Sequence, residues 1–278
     1  MSGNGNGSAN RVRAAEHARR AFERAGASGH LHVVDVDDGG RGVELDAGAP
    51  VAMASVFKLP LLVALFQQAD AGALDLRERL SVRGDGAGLT GISQMQDPVE
   101  LSLRDLALAM ISVSDCTAAD ALYDRVGQPA VQDCLRRLGL TATSVDGCCR
   151  DMFAAIEQGT AAPAQTTPRD MTALLTAIWT DTAASTAACA AMRRLLQLQV
   201  WPHRLASGFP SDDVTVGGKT GTLPGIRNEV GVVEYPDGAR YAAAVFTVTE
   251  DVTATLPEVD ASIGTAARIC VDALRHGS

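Results

Sequence analysis

The segment ASVFKLPLL, residues 54–62, combines a serine, a lysine three positions later and a run of apolar side chains. From Ala54 to Ala71 the apolar residues recur at helical spacing, which predicts a helix that begins close to Ser55. Positions i and i+3 lie on one face of a helix, so Lys58 is expected beside Ser55. A serine hydroxyl is a weak nucleophile and needs such a base. A helix cap followed by a solvated lysine has the same pattern, so the pair needs support from elsewhere in the chain.

The segments on either side of this helix predict both helices and strands. Residues 10–25 have helical spacing, and residues 30–45, HLHVVDVDDGGRGVEL, predict two strands joined by a turn at Asp38-Gly39-Gly40. Three more strands follow late in the chain as DVTVGGKTGTL, NEVGVVEY and ARYAAAVFTVT. Pro236-Asp237-Gly238 predicts the turn between the last two, and residues 257–275 predict a closing helix.

The middle of the chain, about residues 75–205, is dominated by helical patterns such as LRDLALAMISVSDCTAADALYDRVG and PRDMTALLTAIWTD. Pro168 suits the first turn of its helix, with Thr167 as the cap. This order predicts that the two ends of the chain meet around a helical insertion. We therefore expect an α/β (α+β) fold with an antiparallel sheet flanked by the terminal helices, plus an inserted all-helical part.

The predicted domain organisation follows from this order of elements. Residues 1–9 are rich in Gly, Asn and Ser and are expected to be a flexible tail. Residues 10–60 and 206–278 would form a discontinuous α/β domain, and residues 61–205 a helical domain. A cleft between two such domains is the natural place for a site.

Composition and charge narrow the class of protein. The 278 residues are 46% hydrophobic and 21% charged, an ordinary globular balance, with a formal net charge of −9. Such a charge argues against a nucleic-acid or anionic-membrane partner, which it would repel. The N-terminus has no apolar signal-peptide region and no run is long enough to span a bilayer. We therefore expect a cytoplasmic protein, or a secreted one if a signal peptide has been removed.

Cysteine and histidine spacing predicts neither a metal site nor a cofactor. None of the six cysteines shows a CxxC spacing, and the five histidines show no HExxH or paired-ligand pattern. His30 and His32 share a strand face, where a surface position is the simpler interpretation than a metal site. Free thiols acting as small buried hydrophobes are expected. The cysteines are Cys116, Cys134, Cys148, Cys149, Cys189 and Cys270.

Two further short motifs follow the serine–lysine pair. Ser114-Asp115-Cys116 comes after an apolar stretch, and Lys219-Thr220-Gly221-Thr222 lies in a predicted strand after Gly217 and Gly218. Those glycines would let the backbone approach something closely. Taken singly, the first motif is also a plausible helix cap and the second a plausible exposed edge strand.

Together the three motifs resemble class A β-lactamases and penicillin-binding proteins, whose sites combine S-x-x-K, S-D-N and K-T-G in this order. The spacing between the motifs is also about that of the class A family. The resemblance extends to TTPRDMTALL and KTGTLPGIRNEVGVVEYPDG and covers about residues 10–275. It implies a β-lactamase/transpeptidase-like fold and a serine hydrolase that works through an acyl-enzyme, with a small β-lactam or an ester or amide as substrate.

The resemblance also implies a role for each matching residue. Ser55 would be acylated, Lys58 would serve as its base or proton relay, and Ser114 would pass a proton to the leaving group. Lys219 would help to bind a substrate carboxylate, and Lys219-Thr220-Gly221-Thr222 would line the substrate. The backbone N–H groups of Ser55 and Thr222 would form the oxyanion hole. Arg227 would be a further cation for the carboxylate, or else a surface loop arginine.

The sequence departs from the class A pattern in the middle motif. The family has asparagine where this chain has Cys116, and a thiol is a weak donor and a weak acceptor. This difference questions whether an acylamino side chain is bound in the same way. A small packing residue is a simpler interpretation of Cys116 than a reactive thiol.

The second departure concerns the loop that carries the deacylating glutamate in class A enzymes. The stretch VDGCCRDMFAAIEQGTAAPAQ contains no Glu-x-x-x-Asn pattern. Alignment back from Thr167-Pro168 without gaps brings Asp151 close to the expected place, with Glu157 as a second carboxylate. Either would position a water or be a solvated loop acid. The acylating residues are thus present, while the deacylating ones are absent or rebuilt.

Several functions remain open from the sequence. The first is a β-lactamase, with slow deacylation as one form of it. The second is a cytoplasmic esterase, amidase or acyltransferase of specialised metabolism, suggested by Cys116 and the altered loop. A peptidoglycan carboxypeptidase is disfavoured by the missing signal peptide, and a non-catalytic binder of acyl ligands by the presence of Ser55, Lys58, Ser114 and Lys219. The sequence does not predict the oligomeric state.

Overall fold

A computed structural model describes residues 4–38 and 41–276. The helices are α1 (Asn4–Arg24), α2 (Lys58–Asp70), α3 (Leu103–Ser112), α4 (Cys116–Val126), α5 (Gln128–Arg137), α6 (Cys149–Gln158), α7 (Pro168–Trp179), α8 (Thr186–Gln197) and α9 (Pro257–His276). The strands are β1 (Ser28–Asp35), β2 (Gly42–Leu45), β3 (Val51–Ala52), β4 (Arg79–Val82), β5 (Val99–Ser102), β6 (Ser144–Val145), β7 (Ala164–Thr166), β8 (Thr215–Leu223), β9 (Ile226–Glu234) and β10 (Arg240–Val248). The fold class predicted from the sequence is confirmed.

The chain divides into two compact units. Unit 1 holds the residues up to Val51, Thr167–Thr176, and the residues from Trp201 onward; unit 2 holds Ala52–Thr166 and Ala177–Val200. This division places residues 52–60 with the helices of unit 2, whereas the sequence analysis assigned them to the α/β domain. It also places most of α7 and residues 201–205 in unit 1.

Unit 1 is built on a five-stranded antiparallel sheet with the order β2-β1-β10-β9-β8. Helices α1 and α9 pack on each other and on the sheet. Their shared core contains the fully buried side chains of Phe22, Leu31, Val33, Val245 and Ile263. Burial of a side chain of this size contributes about 1.5–3 kcal/mol to folding, so this core holds the terminal helices on the sheet.

Two glycines set the spacing between β8 and β9. Gly218 pairs with Gly231, and a Cβ atom on Gly218 would lie 2.9 Å from the Val230 carbonyl oxygen. The close approach predicted for the glycines before Lys219 is thus an approach to the neighbouring strand. Strand β8 is at the edge of the sheet within the described residues, so one side of its backbone is not used by β9.

Unit 2 is mainly helical but also contains short antiparallel strands. Helix α2 is nearly all buried from Lys58 to Phe66, which makes it the central helix of this unit. Strands β4 and β5 pair with each other, as do β6 and β7. The sequence alone predicts an all-helical part here, because such short strands give too few residues for an alternating pattern.

Several local predictions are confirmed. Pro168 begins α7, and the backbone N–H of Asp170 donates to Thr167 Oγ1 at 3.1 Å. The turn at Pro236-Asp237-Gly238 is closed by Gly238, whose φ is +88° and whose N–H donates to the Tyr235 carbonyl oxygen.

Two other local predictions have a different outcome. Residues 4–9, expected in a flexible tail, are the first turns of α1, because extending a helix costs far less than nucleating one. Gly39 and Gly40 of the predicted β1–β2 turn lie outside the described residues. Within the ranges that are described, no helix has the length and apolarity needed to cross a bilayer.

Candidate active site

Ser55 lies in a single tight turn at the start of α2. Residues Ala54–Phe57 form a 3₁₀ turn, and the backbone N–H of Lys58 continues the helix by donating to the Ser55 and Val56 carbonyl oxygens. Ala54 has a φ of +48°, a left-handed conformation that costs roughly 1–2 kcal/mol for a residue with a Cβ. Such strain is often found at functional sites. Ser55 itself is half-buried, whereas its neighbours Ala54 and Val56 are buried.

Lys58 is fully buried, and its amine is held by a second segment of unit 2. Lys58 Nζ donates to the Ser114 carbonyl oxygen at 2.6 Å and to Ser114 Oγ at 3.3 Å. It also lies 3.6 Å from Cys116 Sγ. The structure therefore brings together the first two predicted motifs. Among the described residues, these contacts connect Lys58 to the Ser-Asp-Cys motif and include none with the Ser55 hydroxyl.

The Ser-Asp-Cys motif forms a sharp break between α3 and α4. Ser114 has a φ of +62°, which turns the chain out of α3. Asp115 is fully buried and caps α4 by accepting the Ala118 N–H at 2.8 Å. Its other oxygen accepts from the Ile92 N–H. Asp115 thus fixes the loop that presents Ser114 to Lys58, and it explains why the apparently continuous helical pattern is broken.

Cys116 is the first residue of α4 and lies beside the Lys58 amine. A hydrogen bond from the Cys149 thiol and the charge of Lys58, acting against burial, lower the pKa of Cys116 to about 7. The interaction with Cys116, together with burial, raises the pKa of Cys149. A thiolate at Cys116 would be stabilised by the Lys58 ammonium group.

The Asp151 carboxylate caps helix α6. It is an exposed residue in the first turn of α6, where Oδ2 accepts the Cys148 N–H at 2.9 Å and the Cys148 thiol at 3.2 Å. The backbone hydrogen bond holds the pKa of Asp151 below its usual range, against the weaker effect of burial. A low pKa makes a poor general base at neutral pH. The segment that the sequence analysis treated as a loop is the helix α6, and Glu157 lies exposed near its end.

Asp120 is a carboxylate that the sequence analysis did not select. It lies one turn after Cys116 on α4, is partly buried, and accepts the Cys149 N–H at 2.8 Å and the Arg150 N–H at 3.2 Å. Burial raises the pKa of Asp120. Its position at i+4 from Cys116 is visible in the sequence, but its contacts with the start of α6 depend on the fold.

The third predicted motif belongs to unit 1. Lys219 is fully buried in β8 with Nζ donating to the Thr220 carbonyl oxygen at 2.9 Å, and Thr220 is also buried. Gly221 is buried, and Thr222 is exposed. In register, Gly221 and Thr222 pair with Asn228 and Arg227 of β9. The motif therefore presents Thr222 to solvent at the edge of the sheet.

Arg227 is not the surface loop arginine that was one of its two interpretations from the sequence. It is 2% exposed, and its guanidinium donates to four backbone carbonyl oxygens at 2.9–3.0 Å. Burial lowers the pKa of Arg227. These contacts connect the β8–β9 turn to the segment before α9. Arg227 therefore stabilises the fold at this point.

Arg204 is the buried cation that contacts the third motif. Its Nε donates to Asp260 Oδ1 at 2.6 Å, and its terminal nitrogens donate to the Gly221 carbonyl oxygen at 2.9 Å and to Thr222 Oγ1 at 2.8 Å. Sequence reasoning missed it because WPHR carries no motif and its partner Asp260 is 56 residues away. Arg204 orients the Thr222 hydroxyl.

The described residues show no arrangement suited to a metal ion. No group of three or more His, Cys, Asp or Glu side chains in these ranges is placed to hold one. His32 is buried, which lowers its pKa to about 4, and its Nδ1 lies 2.6 Å from Thr172 Oγ1. His32 thus occupies a buried position, not the surface position expected from the sequence.

The fold and the three motifs together define the serine hydrolase class that has a β-lactamase-like architecture. Residues 13–274 match the family described as the beta-lactamase enzyme family. The chain belongs to that family.

Comparison with individual proteins gives the same result. The chain is 30% identical to the beta-lactamase regulatory protein BlaB of Streptomyces cacaoi, over 93% of this chain and 96% of that protein. It is 29% identical to the extended-spectrum beta-lactamase PER-1 of Pseudomonas aeruginosa, over 70% of this chain and 66% of that protein.

Solved structures agree with this assignment. A beta-lactamase from Sphaerobacter thermophilus has a TM-score of 0.82 and 28% identity, with coverage of 95% of this chain and 97% of that one. The structure of PBP-A has a TM-score of 0.80 at 24% identity, covers 93% and 94% of the two chains, and shows the fold alone.

Proposed function

We propose that this protein reacts with β-lactams through Ser55 to give a covalent acyl-enzyme, which it hydrolyses slowly. The observation that carries this proposal is the position of the Lys58 amine. Lys58 follows Ser55 by one turn, is buried, and contacts both the carbonyl oxygen and the hydroxyl of Ser114. A buried amine held by fixed acceptors is better suited to relay protons than the amine of a solvated surface lysine is.

The chemistry can be written with these residues. Ser55 Oγ attacks the carbonyl carbon of the lactam, and Lys58, once its ammonium group has lost a proton, accepts the hydroxyl proton. The ring C–N bond breaks as the Ser114 hydroxyl gives its proton to the leaving nitrogen, and Lys58 returns a proton to Ser114. The product is an ester of Ser55, which one water then hydrolyses to free acid and serine.

The orientation of the substrate is a separate part of the proposal. By resemblance to the family, the buried Lys219 and the exposed Thr222 would bind a substrate carboxylate. Arg204 supports this role because it donates to the Thr222 hydroxyl and thereby fixes the direction of its lone pairs. The backbone N–H of Ser55 would supply one donor to the oxyanion.

The proposed slow hydrolysis of the acyl-enzyme is based on how the carboxylate at the start of α6 is used. The carboxylate nearest to the expected deacylating position, Asp151, accepts the backbone N–H and thiol of Cys148 and has a lowered pKa. A carboxylate used in this way is poorly suited to activate a water.

A sensor of β-lactams is the second candidate function. The relative BlaB is named a regulatory protein, and a long-lived acyl-enzyme would serve as a signalling state. An esterase, amidase or acyltransferase on the same fold is the third, because Cys116 replaces the amide that would bind an acylamino side chain.

Time-resolved mass spectrometry of the intact protein separates these functions. The protein is mixed with a penicillin, a cephalosporin and an activated ester, with Ser55→Ala as the control. We expect a lasting adduct with a β-lactam on the wild type alone. A transient adduct with complete loss of the lactam would show an efficient β-lactamase, whereas turnover of the ester with inert lactams would show an esterase. No adduct from any of them would contradict the proposal.

A further inference from the structure

Among the described residues, three acceptor atoms contact the buried Lys58 amine, and one of them can change its charge near neutral pH. Lys58 Nζ donates to the Ser114 carbonyl oxygen at 2.6 Å, to Ser114 Oγ at 3.3 Å and to Cys116 Sγ at 3.6 Å. A carbonyl oxygen has no proton to lose and a serine hydroxyl stays protonated, whereas an ordinary thiol ionises at about pH 8–9. The thiol is therefore the acceptor that can become an anion beside Lys58.

The backbone around Cys116 holds its side chain in this position. Asp115, the residue before it, is buried and caps α4 by accepting the Ala118 N–H at 2.8 Å. The chain also passes so close at Gly88 that a Cβ atom there would lie 3.1 Å from Cys116 Cβ. These residues and Lys58 all belong to unit 2, so one packed unit keeps the amine and the thiol together.

The other ionisable groups around the thiol do not provide it with a counterion. On α4 itself, the negative charge of Asp120 one turn further on disfavours a thiolate at Cys116. Residues 91–94, which pack against α4, contain no charged side chain. The interaction with Cys149 of α6 and the charge of Lys58 of α2 lower the pKa of Cys116 to about 7, against the effect of burial. Lys58 is therefore the cation that contacts the thiol.

We propose that Cys116 and Lys58 form a thiolate–ammonium ion pair that limits the acylation of Ser55 above neutral pH. Cys116 acts here through Lys58 and not on the substrate, so it is a positioning residue for the Lys58 proton. Opposite charges in contact stabilise each other, and loss of the Lys58 proton would leave the thiolate unpaired. The effect on acylation rests on the proposed function, whereas the ion pair itself does not.

The ion pair predicts a particular dependence of the acylation rate on pH. Lys58 must lose its proton before it can accept that of Ser55, and beside a neutral side chain the neutral fraction of an amine rises about tenfold for each pH unit below its pKa. Beside Cys116, a rise in pH first removes the thiol proton. The amine then becomes neutral mainly by passing its proton to the thiolate, a transfer that does not depend on pH. We therefore expect the acylation rate to rise up to about pH 7 and to level off above it.

The pH profile of acylation tests this effect. Acylation by a penicillin is followed by intact-protein mass spectrometry between about pH 6 and pH 9 for the wild type and Cys116→Ser, whose hydroxyl does not ionise in this range. We expect equal rates at pH 6 and a rate for Cys116→Ser that keeps rising, to about tenfold above the wild type at pH 8. Profiles that superimpose, or that differ by the same factor at every pH, would overturn the proposal.

Cys148→Ser is the matched control for the loss of a thiol. The Cys148 thiol donates to Asp151 Oδ2 at 3.2 Å and does not contact Lys58. This variant is therefore expected to keep the wild-type profile, with its plateau above about pH 7. A plateau lost in Cys148→Ser as well would show that it does not depend on the pair of Cys116 and Lys58.

Titration of the thiol tests the ion pair without any substrate. The ultraviolet absorbance of the Cys116 thiolate is taken as the difference between proteins with and without Cys116→Ser, once with Lys58 present and once in Lys58→Met. We expect a midpoint near pH 7 with Lys58 and a midpoint about one pH unit or more higher without it. Equal midpoints would overturn the ion pair.

These two measurements separate the failure of this proposal from the failure of the proposed function. If no adduct forms on the wild type at any pH, the proposed acylation is wrong and its pH limit falls with it, while the titration still decides whether the ion pair exists. Circular dichroism establishes that each variant is folded, and Cys116→Ala takes the place of Cys116→Ser if the latter is not. An adduct that forms with the same pH profile in all variants would overturn the role of Cys116 alone.

Discussion

The start of α2 and the start of α6, both in unit 2, use polar side chains in opposite ways. At α2, Ala54 has a strained backbone, Ser55 is half-buried, and Lys58 is buried against Ser114. At α6, Cys148 and Asp151 satisfy each other in a regular capping box, and Arg150 forms an ion pair with Asp124. The first segment keeps reactive groups at a cost in stability, and the second uses its polar groups to stabilise a helix. This contrast is the basis of our proposal that the acylating residues are present and the deacylating ones are rebuilt.

The largest effect is expected from Lys58→Ala. Loss of a general base slows a reaction by about 10²–10⁴-fold, so acylation of Ser55 by a β-lactam is expected to fall by about a thousandfold. The rate of adduct formation is measured by intact-protein mass spectrometry. Ser55→Ala is the control, because it lacks the hydroxyl that would be acylated. Unfolding in urea establishes that the variant is folded. An unchanged acylation rate in a folded variant would show that Lys58 is not the base. The proposed difference between α2 and α6 would then be wrong.

The reactivity of Cys116 is expected to give the next largest effect. Because the pKa of Cys116 is lowered to about 7, its thiolate accumulates as the pH rises through 7. Alkylation of Cys116 by iodoacetamide should therefore be about tenfold faster at pH 8 than at pH 6, since only the thiolate reacts. Replacement of Lys58 by Met removes the favourable charge and should move the midpoint to higher pH. An alkylation midpoint near that of an ordinary cysteine would show that Lys58 and Cys149 do not polarise this thiol.

The segment that we propose to be acylated was selected from the sequence by its motifs. Ser55, Lys58 and Ser114 follow from short motifs because their chemistry needs fixed residue types at fixed local spacing. The strands and terminal helices of unit 1 were also predictable, since each has many residues in a regular pattern. Local repetition and local motifs are what a single sequence expresses best.

The remaining features depend on contacts between distant segments. Arg227 and Arg204 carry the same charge, and nothing local indicates that the first bonds backbone carbonyl oxygens and the second contacts Thr222. The approach of Cys116 to Lys58 depends on how α4 packs against α2. The break between α3 and α4, by contrast, was locally predictable, because Ser114-Asp115-Cys116 is a plausible helix cap and Asp115 does cap α4.

Asp151→Ala is expected to affect stability more than catalysis. Loss of the capping box costs about 1 kcal/mol in the free energy of unfolding, measured by urea denaturation. The pKa of Asp151 is lowered in the folded state, so this contribution is complete above about pH 4 and is lost as the pH falls through the folded pKa. The lifetime of the acyl-enzyme should change by less than about twofold, because a capping carboxylate does not act as a general base.

Glu157→Ala is the matched control for that variant, because Glu157 is an exposed carboxylate on the same helix. It is expected to change neither the stability nor the acyl-enzyme lifetime. If Asp151→Ala instead lengthened that lifetime by about a hundredfold, as loss of a general base does, the deacylating side would be intact. The contrast between α2 and α6 would then be wrong.

The smallest effect is expected at the exposed surface of α6. Arg150 forms an ion pair with Asp124 in which the two side chains are 49% and 59% exposed. Exposed pairs contribute about 0–1 kcal/mol and are screened by salt, so Arg150→Gln should lower the free energy of unfolding by no more than about 0.5 kcal/mol. The difference from the wild type should shrink further in high salt. A loss as large as that of Asp151→Ala would mean that α6 is held by its surface charges, and that its capping box does not explain why the deacylating segment is a helix.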